Sequence, residues 1–106
     1  MTNNLKYALY IIRTFRNTLY IGTSTNVVRR LQQHRSGRGY QSLRGKGPLM
    51  LVYQSEYFLC VSCARCLKKL LKRQSRLIKE QLIVHKPSRD ELVAFMNRSN
   101  RSLRQQ

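Results

Sequence analysis

The sequence predicts an α+β fold in which a small antiparallel three-stranded sheet is flanked by helices. Residues 6–12 and 18–22 are rich in aromatic and β-branched types, and the turn-forming sequence RTFRN between them is typical of a β-hairpin. Residues 49–59 form a third β-rich run, and the segments around it carry apolar residues at helical spacing. The resulting order, ββαβαα, predicts one small sheet among helices.

The first strand is predicted to present two different faces. Because side chains alternate along a strand, Tyr10 shares a face with Ala8 and Ile12, and Leu9 and Ile11 lie on the opposite one. The first strand therefore combines a phenol with small and aliphatic neighbours on a single face.

The first helix is predicted to follow the capping sequence TSTN and to run through VVRRLQQH. Val27 and Leu31 contribute to a short apolar stripe. Asn26, Arg30 and His34 recur at i, i+4 and i+8, which puts them on another face of the helix. The spacing thus predicts an arginine and a histidine side by side.

After this helix, residues 35–47 carry four of the five glycines together with basic residues, which predicts a loop. Helical spacing runs from about residue 61 to residue 85, and a break near Lys72 is left open. Pro87 stops that helix.

The sequence SRDE, starting at Ser88, is a capping box that predicts a final short helix over ELVAFM, followed by a loose basic tail. We expect residues 1–85 to form the main domain. Residues 86–106 are expected to form a C-terminal helix and tail on that domain.

The charge balance selects the class of partner. Twenty-one Lys and Arg residues against four acids give a formal net charge of +17, which favours a polyanion. Nucleic acid is the first candidate and an anionic membrane surface the second.

No apolar run reaches the ~20 residues that a membrane span needs, and no signal peptide is visible. Three cysteines without a scaffold pattern favour a reducing compartment. We therefore expect an intracellular, soluble protein without membrane partners.

Four side chains could serve phosphodiester hydrolysis. Tyr10 and Tyr20 offer phenol oxygens on neighbouring strands, although a phenol with a pKa near ~10 is a poor base unless its surroundings lower that value. Arg30 offers a planar fork that matches phosphate, and His34 can exchange a proton near neutral pH. Each residue alone is more often structural, and it is the joint pattern that indicates a site.

The same residues carry a family resemblance. The tripeptides ALY, ending at Tyr10, and YIG, beginning at Tyr20, are followed by LRGKGPLML at 43–51 and KKLLKRQ at 68–74. From about residue 6 to residue 78 the chain resembles GIY-YIG nuclease domains, most closely the small stand-alone members. The resemblance implies metal-dependent DNA endonuclease activity in repair or recombination.

In that family the two motif tyrosines activate or position the water, which implies this role for Tyr10 and Tyr20. Arg30 would contact the scissile phosphate, and His34 would assist proton transfer. By analogy alone, Tyr10 is given the role of base.

One essential position departs from the family. The family's metal-binding glutamate, which holds one Mg²⁺ or Mn²⁺ ion, aligns with Ala64. The chain as written is therefore expected to be inactive. Two explanations compete: a change introduced to disable a nuclease, or a natural protein that has lost cleavage and kept binding. The intact remaining motif favours the first.

Further basic residues are predicted to contact DNA phosphates because they cluster in the glycine-rich loop, on the first helix and on the helix after the third strand. These residues are Arg29, Arg35, Arg38, Arg44, Lys46, Lys68, Lys72 and Arg73. Tyr40, in the loop, could stack on an exposed base. Branched or flapped DNA is the expected form, and cutting both strands would need a transient homodimer or two successive nicks.

Two other interpretations of the whole chain remain. The chain could be a DNA- or RNA-binding module of the same fold without catalysis, or a small basic RNA-binding or ribosome-associated protein whose tyrosines only pack. A separate question concerns Cys60, Cys63 and Cys66, whose CxxCxxC spacing suggests a metal site. Without a fourth ligand, three small residues at a strand–helix junction are the favoured interpretation.

Overall fold

The computed structural model describes residues 5–37 and 47–104. The elements in chain order are β1 (Ala8–Thr14), β2 (Leu19–Ser24), α1 (Val27–Arg35), β3 (Leu49–Gln54), α2 (Val61–Lys72), α3 (Arg76–His85) and α4 (Arg89–Arg104). The three strands form one antiparallel sheet in the order β2-β1-β3. The predicted α+β class with a three-stranded antiparallel sheet is confirmed. Within the described ranges, no helix combines the length and the apolar character needed to cross a bilayer.

The central strand β1 fixes the register of its neighbours. Tyr10 pairs with Gly22 of β2, and the pairing with β3 contains an irregularity between Ile11 and Ile12. Beyond the end of β3, Ser55 continues the contact, because its backbone N–H donates to Leu9 O at 2.8 Å and its Oγ accepts from Leu9 N at 2.8 Å. The third strand predicted over residues 49–59 is therefore shorter and ends at Gln54.

Burial on both faces of β1 divides the core into two apolar clusters. One cluster contains Leu9 and Ile11 and is covered by α2 and by Leu92 of α4. The other contains Tyr10 and Ile12 and is covered by α1 through Val27 and Leu31, the apolar stripe of that helix. The predicted alternation of β1 is thus present, and it assigns the tyrosine to the α1 side of the sheet.

The start of α1 is held at two points. Asn26 is the N-cap, and its side chain accepts the backbone N–H of Arg29 at 3.1 Å. Tyr57, from the segment after β3, accepts the N–H of Val27 through its Oη at 3.0 Å. Two of the first backbone donors of the helix are therefore satisfied, which fixes the position of α1 above the sheet.

The helical region after β3 differs from the prediction of one helix from about residue 61 to residue 85. It divides into α2 and α3, and Ser75 caps α3 by accepting the N–H of Ile78 at 3.3 Å. The apolar spacing continues through the break, so periodicity alone left open whether the helix is interrupted near Lys72, where α2 ends. Lys86 takes a left-handed conformation (φ 50°) that ends α3 before Pro87.

The predicted capping box at the start of α4 is formed by reciprocal hydrogen bonds. Glu91 N donates to Ser88 Oγ at 3.3 Å, and Ser88 N donates to Glu91 Oε1 at 3.3 Å. The helix then extends to Arg104, well past the expected ELVAFM. No glycine or proline follows Pro87, so the sequence contains no strong helix breaker there.

A charged cluster joins α3 to the sheet. Arg13 of β1 donates from Nη1 and Nη2 to the two carboxylate oxygens of Glu80, with Nη1 3.0 Å from Oε2. Arg76 donates to the same carboxylate, with Nε 2.9 Å from Oε2. Hydrogen bonds from Arg13 and then from Arg76 lower the pKa of Glu80 to about 2. The ionised carboxylate is therefore stabilised in the folded state.

The sign of the resulting pH dependence follows from linkage. The pKa of Glu80 is lower when folded than the ordinary glutamate value of ~4.3, so its stabilisation is present above that value and is lost as the pH falls toward about 2. We expect Glu80→Gln to remove this contribution. Urea titrations at a series of pH values should show a shallower acid-side loss of unfolding free energy in the variant. Glu56→Gln, at an exposed carboxylate, is the matched control; parallel profiles for Glu80→Gln and the unchanged protein would contradict the prediction.

Candidate active site

Three aromatic side chains meet between the sheet and α1. Tyr10 Oη lies 3.1 Å from His34 Nε2, and both residues are buried, at 1% and 3% exposure. The Tyr20 ring lies edge-on to the imidazole with 5.3 Å between centroids, and 6.3 Å from the Tyr10 ring. The structure thus brings together three of the four residues that the sequence predicted for catalysis.

The glycine of the YIG tripeptide makes room for this cluster. Gly22 lies opposite Tyr10 in the β1–β2 register. A Cβ atom at residue 22 would lie 2.5 Å from both Cζ and Oη of Tyr10, far inside van der Waals contact. The phenol can therefore lie across β2 and reach His34 only because residue 22 has no side chain.

Arg30 lies one helical turn before His34 and completes the predicted set. It is half-buried, and its Nη1 donates to Gln33 Oε1 at 2.9 Å. Burial, and then the positive charge of Arg30, lower the pKa of His34. Both causes disfavour the imidazolium, so the neutral ring is favoured at neutral pH.

A neutral imidazole whose Nε2 carries no proton accepts the hydrogen bond of the Tyr10 hydroxyl. The arrangement therefore provides a route for a proton from a phenol to a histidine. Tyr20 is more exposed than Tyr10 and lies at the open side of the cluster. Arg30 adds a cation on the same helix face, which suits an anionic substrate.

The other predicted DNA contacts are distributed over different parts of the chain. Arg29, Lys72 and Arg73 are exposed, and Lys68 is half-buried. Arg35 is the last residue of α1, and its Nη2 donates to Leu49 O at 3.1 Å, which connects the helix to β3. The remaining predicted residues lie outside the described ranges: Arg38, Tyr40, Arg44 and Lys46.

Ala64 lies on the first turns of α2 and is 1% exposed. It packs in the cluster that contains Leu9, Ile11 and Ile21, on the face of the sheet opposite Tyr10. At this position the alanine serves as a small core residue.

Metal ligands are scarce in the described structure. In residues 5–37 and 47–104, no group of three or more His, Cys, Asp or Glu side chains is arranged to hold a metal ion. Glu80 is ion-paired with two arginines, and Glu91 belongs to the α4 capping box. The residues present do not fit the divalent ion that the family resemblance implies.

Two residues of the site were not predicted. Gln33 holds the Arg30 guanidinium, and its i+3 spacing on the helix was a signal that could have identified it. Tyr57 caps α1 from a segment thirty residues later in the chain. No local pattern indicates such a distant contact.

Comparison with known proteins decides the family. The family model of the GIY-YIG catalytic domain matches residues 6–80, well over half of the chain. The chain belongs to the GIY-YIG family. Proteins of this family are generally nucleases that act on DNA.

The relatives are small proteins named only as UPF0213. One from Aeromonas salmonicida is 45% identical over 78 residues, which are 74% of this chain and 57% of that protein. The UPF0213 protein YhbQ of Escherichia coli is 43% identical over 91 residues, covering 83% of this chain and 87% of YhbQ. The chain thus spans little more than half the length of the Aeromonas relative.

A solved structure shares the fold. The solution NMR structure of a UPF0213 protein from Bacillus halodurans is 33% identical, with a TM-score of 0.50. The match covers 83% of this chain and 93% of that one. The predicted resemblance to small stand-alone GIY-YIG proteins is therefore confirmed.

The close approach of Tyr10 to Gly22 generates a stability prediction. We expect Gly22→Ala to cost about 2–3 kcal/mol of unfolding free energy, because the new methyl group meets the phenol ring. In a Tyr10→Leu background, which lacks Cζ and Oη, the same change should be close to neutral. Chemical denaturation of the four proteins of this double-mutant cycle measures the difference. An equal cost in both backgrounds would show that the ring is not the obstacle.

The electrostatic coupling of Arg30 to His34 can be measured directly. We expect Arg30→Gln to raise the pKa of His34, because the second cause of its depression is removed. NMR titration of the imidazole carbons reads the pKa, and Arg29→Gln removes the neighbouring exposed guanidinium as a matched control.

The coupling also has a consequence for stability. A histidine whose folded pKa lies below 6.5 binds its proton more readily when unfolded, so stability falls as the pH drops through ~6.5. This loss should be smaller in Arg30→Gln. A His34 pKa that is unchanged in Arg30→Gln, or equally changed in Arg29→Gln, would contradict the coupling.

Proposed function

We propose that this chain carries the phosphodiester-hydrolysis site of a GIY-YIG DNA endonuclease in a form that lacks its metal ligand, so that as written it binds DNA without cutting it. The observation that carries the proposal is the buried hydrogen bond between Tyr10 Oη and His34 Nε2, with Tyr20 against the imidazole and Arg30 one turn away. A phenol hydrogen-bonded to an imidazole, with a guanidinium one helical turn away, can supply a general base, a proton acceptor and a phosphate ligand.

The roles follow from exposure and contacts. Tyr20 is the more accessible phenol, so we assign to it the contact with the attacking water and the scissile phosphate. Tyr10 is 1% exposed, so its part is to hold His34 and pass a proton to it. Arg30, kept in position by Gln33, neutralises charge on the phosphoryl oxygens.

The divalent ion is the missing component. In the family, Mg²⁺ or Mn²⁺ supplies charge stabilisation to the scissile phosphate and the leaving oxygen. Here Ala64 replaces the glutamate that would hold it, and the donor groups of the described residues do not compensate. The chain consequently retains Tyr10, Tyr20, Arg30 and His34 without the metal ion on which the rate of cleavage depends.

The DNA partner is supported by charge. A net charge of +17 favours a phosphate backbone, and binding should weaken steeply with salt. Because cations contact the phosphate backbone without reading the bases, we propose recognition of DNA shape, in branched or flapped forms. We also propose that residues 1–85 act as the catalytic unit with residues 86–106 as its extension, and that cutting both strands requires a transient homodimer.

A second candidate is a DNA- or RNA-binding module of this fold that does not cleave in nature. The packing of Ala64 among Leu9, Ile11 and Ile21 favours it, since the alanine is well accommodated as a core residue. The two candidates predict different results when a carboxylate is restored at position 64.

We expect Ala64→Glu to restore Mg²⁺-dependent nicking of supercoiled or branched DNA, whereas the unchanged protein binds the same DNA without nicking it. Ala64→Gln is the matched control, because it adds nearly the same volume without the charge that a hard cation needs. Gel assays with and without Mg²⁺ measure the fraction of DNA that is nicked. Titration of labelled DNA at several salt concentrations gives the binding.

Folding must be measured on the same samples. At a position with 1% exposure, either longer side chain should cost about 1–3 kcal/mol, and added Mg²⁺ should recover part of that cost in Ala64→Glu alone. Nicking by Ala64→Glu that also requires Arg30 would support the disabled nuclease. Folded Ala64→Glu that binds DNA and does not nick would favour the binding module. Cleavage by Ala64→Glu that Arg30→Ala leaves unchanged would contradict the role proposed for Arg30.

A further inference from the structure

Two of the three cysteines form a close pair at the start of α2. Cys60 is the N-cap residue, and Cys63 is three residues later in the first turn. The backbone N–H of Cys63 donates to Cys60 Sγ at 3.4 Å, and Ser62 Oγ lies 3.3 Å from the same sulfur. The three cysteines are free and partly exposed, so small molecules can reach them.

The spacing suits a disulfide bond. Residues three apart around a helical turn have Cα atoms roughly 5 Å apart, inside the range of about 4.4–6.8 Å that disulfides require. The first cysteine precedes the helix proper, with φ −71° and ψ 168°, so its sulfur can turn back over the first turn. The pair needs little backbone movement to close.

The two sulfurs differ in acidity. The hydroxyl of Ser62 and then the N–H of Cys63 stabilise the thiolate and lower the pKa of Cys60 to about 7. Interaction with the Cys60 sulfur, followed by burial, raises the pKa of Cys63. A substantial fraction of Cys60 is therefore ionised near neutral pH, and its partner is held more in the protonated form. An ionised sulfur next to a protonated one is the arrangement of an attacking thiol and a resolving thiol.

We propose that Cys60 and Cys63 form a reversible dithiol–disulfide pair that exchanges with low-molecular-weight disulfides such as glutathione disulfide, with Cys60 attacking and Cys63 resolving. This redox site is independent of the phosphodiester site. Cys66 takes no part, because it lies a turn deeper in α2, where the backbone N–H groups are already used within the helix.

The exchange balances in two steps. The Cys60 thiolate attacks one sulfur of glutathione disulfide, the S–S bond breaks, and one glutathione leaves as a thiolate that takes up a proton. The Cys63 thiol then loses its proton and attacks Cys60 Sγ, which releases the second glutathione. The protein gives up two electrons and two protons, and glutathione disulfide is reduced to two glutathione molecules.

The sequence offers a clean assay for the pairing. Trypsin cuts after Lys46 and Arg65, so residues 47–65 form one peptide that contains both Cys60 and Cys63, and Cys66 falls in the next peptide. After incubation of the full chain with glutathione disulfide and alkylation of free thiols, we expect peptide 47–65 to lose two hydrogens and to carry no alkyl group. A Cys63–Cys66 bond would instead link two peptides.

Three variants test the roles. Cys66→Ser should form the intramolecular bond as the unchanged chain does. Cys63→Ser should accumulate a glutathione adduct on Cys60, because nothing resolves it, and Cys60→Ser should form neither product in peptide 47–65. Alkylation of Cys60 in Cys63→Ser, which keeps the backbone donor, should reach half its maximal rate near pH 7.

Circular dichroism should show that each variant is folded, so that a missing product reports on the thiols. Folded Cys63→Ser without a glutathione adduct, or oxidation that yields mainly linked peptides or intermolecular dimers, would overturn the proposal. So would a folded, unchanged chain that keeps three alkylatable thiols at millimolar glutathione disulfide.

Discussion

The hydrogen bond between Tyr10 Oη and His34 Nε2 joins the central strand to the only helix on its side of the described structure. It forms between two residues that are almost fully buried, where an unpaired polar group would cost several times the net value of a typical hydrogen bond. The bond therefore constrains more than one contact. It requires Gly22 under the phenol, it sets how far α1 lies along the sheet, and it leaves Tyr20 at the open side of the cluster.

Burial of both faces of β1 explains why the site and the expected metal position belong to different apolar clusters. Tyr10 faces α1, and Ala64 of α2 packs on Leu9 and Ile11 on the other face. Strand β2 lies next to both regions, because it carries Tyr20 and contacts α2. It is an edge strand of the sheet. Among the described residues, no further strand pairs with the outer side of β2. Ala64 itself remains in the core.

Sequence patterns predicted the parts of this structure that depend on local order. Alternation gave the two faces of β1, and helical spacing put Arg30 and His34 on one side of α1. A break near Lys72 was left open because the apolar spacing continues across it; the structure has the break there, between the end of α2 at Lys72 and the start of α3. The contact of Tyr57 with the start of α1 escaped prediction, because it joins residues thirty apart in the chain. Pairings of this kind depend on tertiary packing, which local propensities do not encode.

The chain has few acidic residues, and this scarcity affects both the electrostatics of the fold and the supply of possible metal ligands. The chain has four carboxylates for twenty-one Lys and Arg residues. Glu80 is engaged by two arginines that connect α3 to β1, and Glu91 holds the first turn of α4. Moving either toward the tyrosine cluster would break the contacts that position its own helix. These two acids are therefore poorly placed to substitute for a missing glutamate. The same excess of cations over acids that favours DNA binding also leaves few carboxylate oxygens that could bind a metal ion instead. Under the proposed function, the single change of a carboxylate to alanine at position 64 is what separates DNA binding from cleavage in a chain of this composition.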